Sequence, residues 1–348
     1  FRNFQIGKSL DSEETAPGED KALIAEVEQS LRIHGSGTNA NAIPEELLKK
    51  PATARTLLLD MAREYDQKAS SARKFAQELN SKSVEQELAR VFQAKDSEID
   101  LFAATFLIAR VESPELELAP YQEEIETMVR EVRSRCSENA SGREKLDQLR
   151  KYLFEENGYH GSRSDYYNSA NSFMNHVIDD REGIPITLSV LFLELGARLG
   201  IEKLEGMPFP GHFMVCFKDG KKGIYIDVFD GGKNYEKGDL YELIAKHSEV
   251  PLLEEHFKPA TKMEIVARML KNLIGFGAQQ ENSGRTLSYL DLLLAISPDE
   301  PFERWRRASL RLQAGDRSGS VEDLKWLLDK QPAGFDLERV EELYRRVK

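Results

Sequence analysis

Two residues between positions 210 and 230 have the types and spacing of a general base and its orienting partner. His212 stands at the start of an apolar run, and Asp227 ends the next such run, across a polar turn. A histidine that donates one ring N–H to a carboxylate can take a proton from a nucleophile at its other nitrogen. The sequence therefore predicts a His–Asp hydrogen bond between paired strands. Such a pair serves either catalysis or the packing of a buried hairpin.

The nucleophile that such a pair would activate is the missing part. Thiol enzymes of this kind carry a cysteine at the start of a helix, where the dipole and the unpaired N–H groups favour thiolate and oxyanion. Here the apolar helical pattern over residues 185–199 begins with Pro185, which suits a first helical turn. The hydroxyl groups of Thr187 and Ser189 could approach His212, although a hydroxyl needs stronger activation than a thiol. Helix-start hydrogen bonds and packing are their alternative roles.

Pro185 and four polar residues near these segments are candidates for lining a binding cleft. The polar residues are Asn171, Arg181, Glu182 and Asp230. Asp230 opens a tight Asp-Gly-Gly turn, whose glycines serve backbone geometry. The alternative for the charged residues is an exposed turn, which is the usual place for such side chains.

Cysteine and histidine usage argues against a disulfide framework and a metal centre. The chain has only Cys136 and Cys216, far apart in sequence, and its six histidines have no spacing typical of a metal site. Cys216 lies four residues beyond His212 on the same predicted strand, about 13 Å away, so we expect a small core residue. The chain also lacks glycine-rich phosphate loops. We therefore predict no cofactor and no metal, and a reducing, intracellular compartment.

The composition excludes two further classes of partner. The formal net charge is −12 and the isoelectric point is near 5.2, whereas sequence-independent nucleic-acid binding needs clustered cations. No apolar run approaches the roughly 18 residues of a membrane span. The chain begins at Phe1 rather than Met, so we expect a processed or truncated start. The compartment is then the cytoplasm or, if a targeting peptide was removed, an organelle such as the plastid stroma.

Hydrophobic periodicity divides the chain into four expected regions. Residues 1–43 form a flexible acidic tail with a short helix, and residues 44–157 form a helical domain with short breaks, in which Ser97 and Glu98 could cap a helix. Residues 158–260 form an α+β unit with paired strands at 211–217 and 223–229. Residues 261–348 are helical, and their small and apolar positions fit a tetratricopeptide-like helix pair. A helical cap on the preceding unit is the alternative.

Several unusual motifs, in this order, resemble the SirB1 family. They are NS at 171–172, REGIPITLS at 181–189, PGHF at 210–213 and FDGG at 229–232. The resemblance implies an α+β, mostly helical fold. In it, a transglutaminase-like, papain-type core is flanked by an N-terminal helical domain and a C-terminal tetratricopeptide-like region.

The resemblance also assigns roles to individual positions. In the wider transglutaminase-like superfamily the helix begins Gly-x-Cys, and here Gly183-Ile184-Pro185 occupies that place. The superfamily His and Asp match His212 and Asp227. SirB1 proteins resemble this chain in having proline at the nucleophile position, which implies a degenerate core.

Two functional hypotheses remain open. The first is a non-catalytic assembly, adaptor or regulatory factor that binds protein partners through the core cleft and the C-terminal helices. The second is a cysteine-less hydrolase or acyl transferase that uses His212 and Asp227 with a hydroxyl or an activated water. Pro185 favours the first hypothesis, because its side chain can supply no nucleophile.

Overall fold

The computed structural model describes residues 19–35, 43–220, 222–279 and 283–348. The acidic tail predicted at the start of the chain lies within residues 1–18, outside the described residues. The chain divides into two compact units, Phe1–Glu78 and Leu79–Lys348. The residues proposed for chemistry all belong to the second unit.

The first unit is helical. It contains α1 (Glu19–Gly35), α2 (Glu45–Lys49) and most of α3 (Pro51–Val91), which continues into the second unit. A small apolar cluster holds the unit together: Leu23, Val27, Leu47 and Ala54. Beyond Pro51, α3 contains neither glycine nor proline and is rich in Ala, Glu, Lys and Arg. One helix of 41 residues therefore forms here without the short breaks that were predicted for this region.

Three helices open the second unit after α3. They are α4 (Leu101–Ala109), α5 (Ala119–Ser134) and α6 (Gly142–Arg150), and α6 continues as a π-helical segment, Lys151–Glu156. Asp100 caps α4, because its Oδ1 accepts the N–H of Ala103 at 2.8 Å. The predicted cap at Ser97 and Glu98 is wrong: both residues lie in the preceding 3₁₀ turn.

A short parallel ladder precedes the helix that the sequence singled out. The strands β1 (His160–Gly161) and β2 (Glu182–Gly183) flank α7 (Met174–Asp180), and α8 (Pro185–Arg198) follows β2. Pro185 is the first residue of α8, as predicted. Ten residues of α8 are buried, so this helix lies inside the core.

Four antiparallel strands form the main sheet, in chain order. They are β3 (Leu204–Met207), β4 (Met214–Asp219), β5 (Lys222–Asp227) and β6 (Lys233–Tyr235). The predicted pairing of the two central strands is confirmed, with Val215 opposite Ile226. Alternate residues face opposite sides of a strand. Val215 and Ile226 therefore join the main core, whereas Cys216 and Tyr225 join a second cluster on the other face.

Six helices complete the second unit. They are α9 (Asp239–Ala245), α10 (Lys262–Gln279), α11 (Ser283–Ile296), α12 (Pro301–Gln313), α13 (Arg317–Lys330) and α14 (Leu337–Val347). The last three lie in the region that the sequence predicted to be helical, around a cluster of their own: Ala308, Leu324, Leu327 and Val340. The architecture is α+β and mostly helical, as predicted.

One apolar core runs through most of the second unit. It begins at Val84 in α3, includes α8 and the inner face of the sheet, and ends at Ile296 in α11. The helices α10 and α11 therefore pack into the same core as the predicted α+β unit. None of the helices in the described ranges is long and apolar enough to cross a membrane.

Candidate functional site

His212 and Asp227 form the predicted hydrogen bond. His212 Nε2 lies 3.0 Å from Asp227 Oδ2, and the two side chains are only 3% and 4% exposed. Asp227 ends β5, but His212 precedes β4 rather than opening it. His212 is in a tight turn, in which its N–H donates to the carbonyl of Phe209 at 3.1 Å and Gly211 has a φ of 68°.

Both carboxylate oxygens of Asp227 accept hydrogen bonds. Its Oδ2 faces His212, while its Oδ1 accepts the N–H groups of Phe229 at 3.1 Å and Asp230 at 3.2 Å. Burial alone would raise the pKa of Asp227. The hydrogen bond and charge of His212, together with the two N–H groups, outweigh burial and hold that pKa below its ordinary value. The side chain is therefore an oriented carboxylate at neutral pH.

Two rings enclose the imidazole of His212. The ring of His247 stacks on it at 4.9 Å between centroids and 10° between planes. The ring of Phe229 is nearly perpendicular to it, at 6.3 Å between centroids. Burial, and then the neighbouring His212, lower the pKa of His247. A Cβ at position 211 would lie 2.4 Å from the carbonyl oxygen of His247, so both the space and the positive φ require glycine there.

Arg268, on α10, holds the turn that carries His212. Its guanidinium donates to the carbonyl of Phe209 at 3.1 Å and to the carbonyl of His212 at 2.8 Å, and it lies 5.6 Å from the centre of the Phe213 ring. Burial lowers the pKa of Arg268. No local sequence pattern points to this residue, because it is 56 positions from His212 in the chain.

The start of α8 has its hydroxyl groups already engaged. Thr187 Oγ1 accepts the N–H of Ile184 at 3.1 Å and donates to the carbonyl of Asn171 at 2.8 Å. Ser189 Oγ donates to the carbonyl of Pro185 at 2.7 Å. Both hydroxyls are fully buried, and both make the local hydrogen bonds that were the alternative to catalysis.

The predicted lining residues fall into two groups, one near the start of α8 and one after the end of β5. Asn171 lies at the start of α8 through its bond to Thr187, and Glu182 lies in β2 just before that helix. Arg181 ends α7 in the left-handed conformation and donates to the carbonyl of Asn157 at 3.0 Å. Asp230 lies in the turn that follows β5 and pairs with the guanidinium of Arg163.

A contact between Gly161 and Phe229 joins these two groups. Gly161 pairs with Gly183, two positions before Pro185, and a Cβ at Gly161 would lie 2.4 Å from the Phe229 ring. Phe229 in turn contacts His212. The short β1–β2 ladder thus links the start of α8 to the His–Asp pair, and it was not predicted because two residues are too few for a strand pattern.

Neither cysteine has the features of a reactive thiol. Burial, and to a lesser extent Glu205, raise the pKa of Cys216 to about 11, and burial raises the pKa of Cys136. Both thiols are therefore protonated at neutral pH. Within the described ranges, no three His, Cys, Asp or Glu side chains are grouped as a metal site requires.

A groove separates α12 from α14 in the C-terminal helices. It has a volume of about 400 Å³. The Trp305 ring forms part of its wall, and the guanidinium of Arg339 lies 5.2 Å from the centre of that ring. The other lining residues are Ser309, Leu312, Gln313, Glu342, Leu343 and Arg346.

Comparisons with known proteins match this architecture. A transglutaminase-like superfamily model matches residues 119–271, and a tetratricopeptide-repeat model matches residues 275–345. A UPF0162 protein of Xylella fastidiosa is 33% identical over 250 residues, which cover 70% of this chain and 89% of that protein. The chain belongs to the UPF0162 family. A second UPF0162 protein, from Vibrio cholerae, is 24% identical over 67% of this chain and 87% of its own length.

The present chain also resembles part of a longer protein. Human F-box only protein 21 is 33% identical over 169 residues, which are 44% of this chain but only 26% of that protein. No solved structure matches. His212, Asp227 and Arg268 fall in the transglutaminase-like part of this UPF0162 protein, and the groove between α12 and α14 falls in the tetratricopeptide part.

Proposed function

We propose that this protein is a non-catalytic binding factor of the SirB1 kind, which recruits a protein partner for assembly or regulation. The observation that carries the proposal is the groove between α12 and α14, which combines an aromatic wall with two arginines in a tetratricopeptide region. The transglutaminase-like core is then a second, degenerate binding surface.

The residues at the start of α8 support a non-catalytic core. Pro185 can neither attack a carbonyl nor donate a proton. Thr187 and Ser189 donate their hydroxyl protons to backbone carbonyls, and the thiol of Cys216 has a pKa of about 11. Each alternative nucleophile would have to lose an existing hydrogen bond or a tightly held proton.

The chemistry of the groove favours an acidic peptide that carries an apolar side chain. Trp305 offers a flat apolar face, and Arg339 and Arg346 offer guanidinium groups, against the single carboxylate of Glu342. Arginine beside an aromatic ring recognises carboxylates while it packs on the ring. The match to a quarter of F-box only protein 21 also fits a module that serves inside different proteins.

Charge reversal in the groove tests the proposal. Arg339→Glu with Arg346→Glu should abolish capture of the partner that the full chain captures from native extract, identified by mass spectrometry. The matched control is Arg345→Glu on the same helix, because the Arg345 side chain is 73% exposed and pairs only with Glu341 among the described residues. Equal capture by all three proteins would contradict a partner site in the groove.

The second candidate is a cysteine-less hydrolase or acyl transferase, and the intact His212–Asp227 pair favours it. The imidazole would take a proton from a water or a substrate hydroxyl as the oxygen attacks an acyl carbonyl, and return that proton to the leaving group. A His212→Gln protein that folds and binds its partner normally, but fails to complement a null mutant, would support this candidate over the first.

The cellular compartment and the division of the chain into regions are also proposals. We place the protein in a reducing intracellular compartment, because both cysteines are free. We also propose that residues 43, 157 and 260 mark changes in composition and secondary structure along the chain.

A further inference from the structure

Arg268 has no counter-charge among the residues that the structure describes. Its guanidinium donates to two backbone carbonyls and faces the Phe213 ring, but in the described part of the chain no carboxylate lies within ion-pair distance of it. Arg304, Arg307 and Arg311 differ, since each pairs with Asp323. A half-buried guanidinium that lacks an anion has lost hydration without a compensating charge.

The same face of α10 carries a polar side chain and a buried aromatic ring. Asn272 and Phe276 follow Arg268 at intervals of four residues, which places all three on one side of the helix. The amide of Asn272 is partly exposed and makes no side-chain hydrogen bond with any residue that the structure describes. Gly275 has nothing within 4 Å of where a Cβ would be, so the space beside Asn272 is open.

Two tyrosines from the loop after β1 border this face. Tyr167 is 61% exposed, and its ring meets Phe276 at 6.0 Å between centroids. The ring of Tyr166 contacts both Tyr167, at 5.5 Å, and Phe229, at 6.1 Å. Because Phe229 also contacts His212, the aromatic border connects α10 with the His–Asp pair.

We propose that Arg268 and Asn272, bordered by Tyr166 and Tyr167, bind the carboxylate of a peptide segment beside the His212–Asp227 pair. A guanidinium presents N–H groups in the planar arrangement that a carboxylate accepts. The Asn272 amide adds a donor, and the tyrosine rings add apolar contact for the residue that carries the carboxylate. One unpaired cation matches one negative charge, which favours a carboxylate over a phosphate dianion.

This inference rests on the proposed binding role of the core, and it names the chemistry of the ligand. The carboxylate belongs either to a peptide C-terminus or to an aspartate or glutamate side chain. Both sources present the same planar anion to Arg268. They differ in the atoms that follow it, so the two sources can be separated by experiment.

The first experiment follows the Nε–H resonance of Arg268 by NMR in the full chain. Hippurate, which carries one carboxylate and one aromatic ring, should shift this resonance saturably, whereas its uncharged amide should not. Two peptides then separate the sources: N-acetyl-Phe-Gly with a free C-terminus, and N-acetyl-Phe-Asp-amide with only a side-chain carboxylate. The tighter of the two identifies the source. Equal shifts with hippurate and its amide, or none with either, would overturn the proposal.

A variant that leaves the Arg268 anchor intact gives an independent test. Asn272→Asp places a carboxylate one helical turn from the guanidinium and should pair with it. We expect hippurate to bind about tenfold more weakly to Asn272→Asp, and the melting temperature to rise. The matched control, Asn272→Gln, keeps an uncharged amide and should change neither property in this way. If Asn272→Asp binds hippurate as the wild type does, Arg268 is not the receptor.

The outcome is separable from that of the proposed function. Capture of the partner that depends on Arg339 and Arg346, together with no response of Arg268 to hippurate or either peptide, removes only the carboxylate site. A carboxylate-specific response at Arg268 with unchanged partner capture by the charge-reversed groove removes only the groove.

Discussion

The imidazole of His212 is held from several directions at once. Asp227 accepts a hydrogen bond from the ring, and the ring of His247 stacks on it. Arg268 donates to the backbone carbonyl of His212. Only the first of these contacts could be predicted. A histidine and an aspartate on adjacent strands have a recognisable spacing, whereas His247 and Arg268 reach the site from later segments that no local pattern connects with it.

Removing the imidazole should reveal whether the pair is mainly structural. His212→Ala leaves the buried Oδ2 of Asp227 without its side-chain donor, so we expect a loss of about 1–3 kcal/mol in the free energy of unfolding. His212→Gln keeps a donor and should lose less. Urea denaturation of both variants measures the difference.

The control for these two variants is His176→Ala. The side chain of His176 is 46% exposed and lies 3.7 Å from Asp180, so its removal should have almost no effect on stability. If His212→Ala is as stable as this control, the pair contributes no structural stabilisation, and the catalytic alternative gains support.

Asp227 should make the free energy of unfolding decrease as the pH falls. The pKa of Asp227 in the folded protein lies below the ordinary 3.8. The contribution of its carboxylate to the free energy of unfolding is therefore fully present above pH 3.8, and it is lost as the pH falls through the pKa of the folded state. We therefore expect the stability difference between wild type and Asp227→Asn to be constant near neutral pH and to shrink below 3.8. Unfolding curves from neutral to acidic pH measure it. A difference that grows on acidification would contradict the assignment.

At the scale of elements, a buried ionic network joins α11, α12 and α13. Asp323 is 1% exposed and accepts from Arg304, Arg307 and Arg311, and the last two also pair with Asp291. In the sequence, Arg304, Arg306 and Arg307 form a local basic patch of the kind that usually lies on a solvated helix face. The structure buries the guanidinium groups of this network between helices, because the carboxylates that balance them come from two other helices.

Removing the central carboxylate should separate these helices. Asp323→Ala leaves buried guanidinium groups without compensation, so we expect a loss of about 3–5 kcal/mol in the free energy of unfolding. Asp329→Ala, on the same helix, removes one member of an exposed pair and should lose less than about 1 kcal/mol. Tryptophan fluorescence reports the transition, since Trp305 and Trp326 pack against the apolar cluster of the C-terminal helices, which includes Ala308 and Leu324. Equal losses in the two variants would show that the network adds no stability.

The long and strongly patterned elements were the predictable ones. The apolar stripe of α8, the two central strands and α12 to α14 all have a period that the sequence displays. The strands β3 and β6 were missed, because four and three residues are too few to establish an alternation. Pairing with β4 and β5 makes them strands, and that pairing is a tertiary contact.

At the scale of the whole molecule, the apolar core crosses the boundary that composition predicted at residue 260. Four fully buried residues of α10 belong to the same core as α8: Val266, Met269, Leu270 and Ile274. The change from glycine-rich to helical sequence marks a change of secondary structure there. It does not mark the end of a core, because composition carries no information on which faces pack together.

Two deletions should therefore behave differently. A chain without residues 298–348 keeps α10, α11 and the main apolar core, so it should still unfold cooperatively. A chain without residues 261–348 loses part of that core and should lose cooperative melting, as molten states do. Thermal melts followed by circular dichroism compare the two. Cooperative melting of the shorter chain would show that the predicted boundary is a true domain boundary.

The α10 helix has a mechanical consequence for the molecule. The transglutaminase-like match ends at residue 271 and the tetratricopeptide match begins at residue 275, so the junction falls inside this uninterrupted helix. Arg306 of α12 donates to the carbonyl of Ile274, which lies between the two matched ranges. Arg268, shortly before the end of the first range, binds the turn that carries His212. A continuous helix resists bending and twisting, unlike a loop. A rotation of the C-terminal helices would therefore be transmitted through α10 to the turn that carries the His212 imidazole.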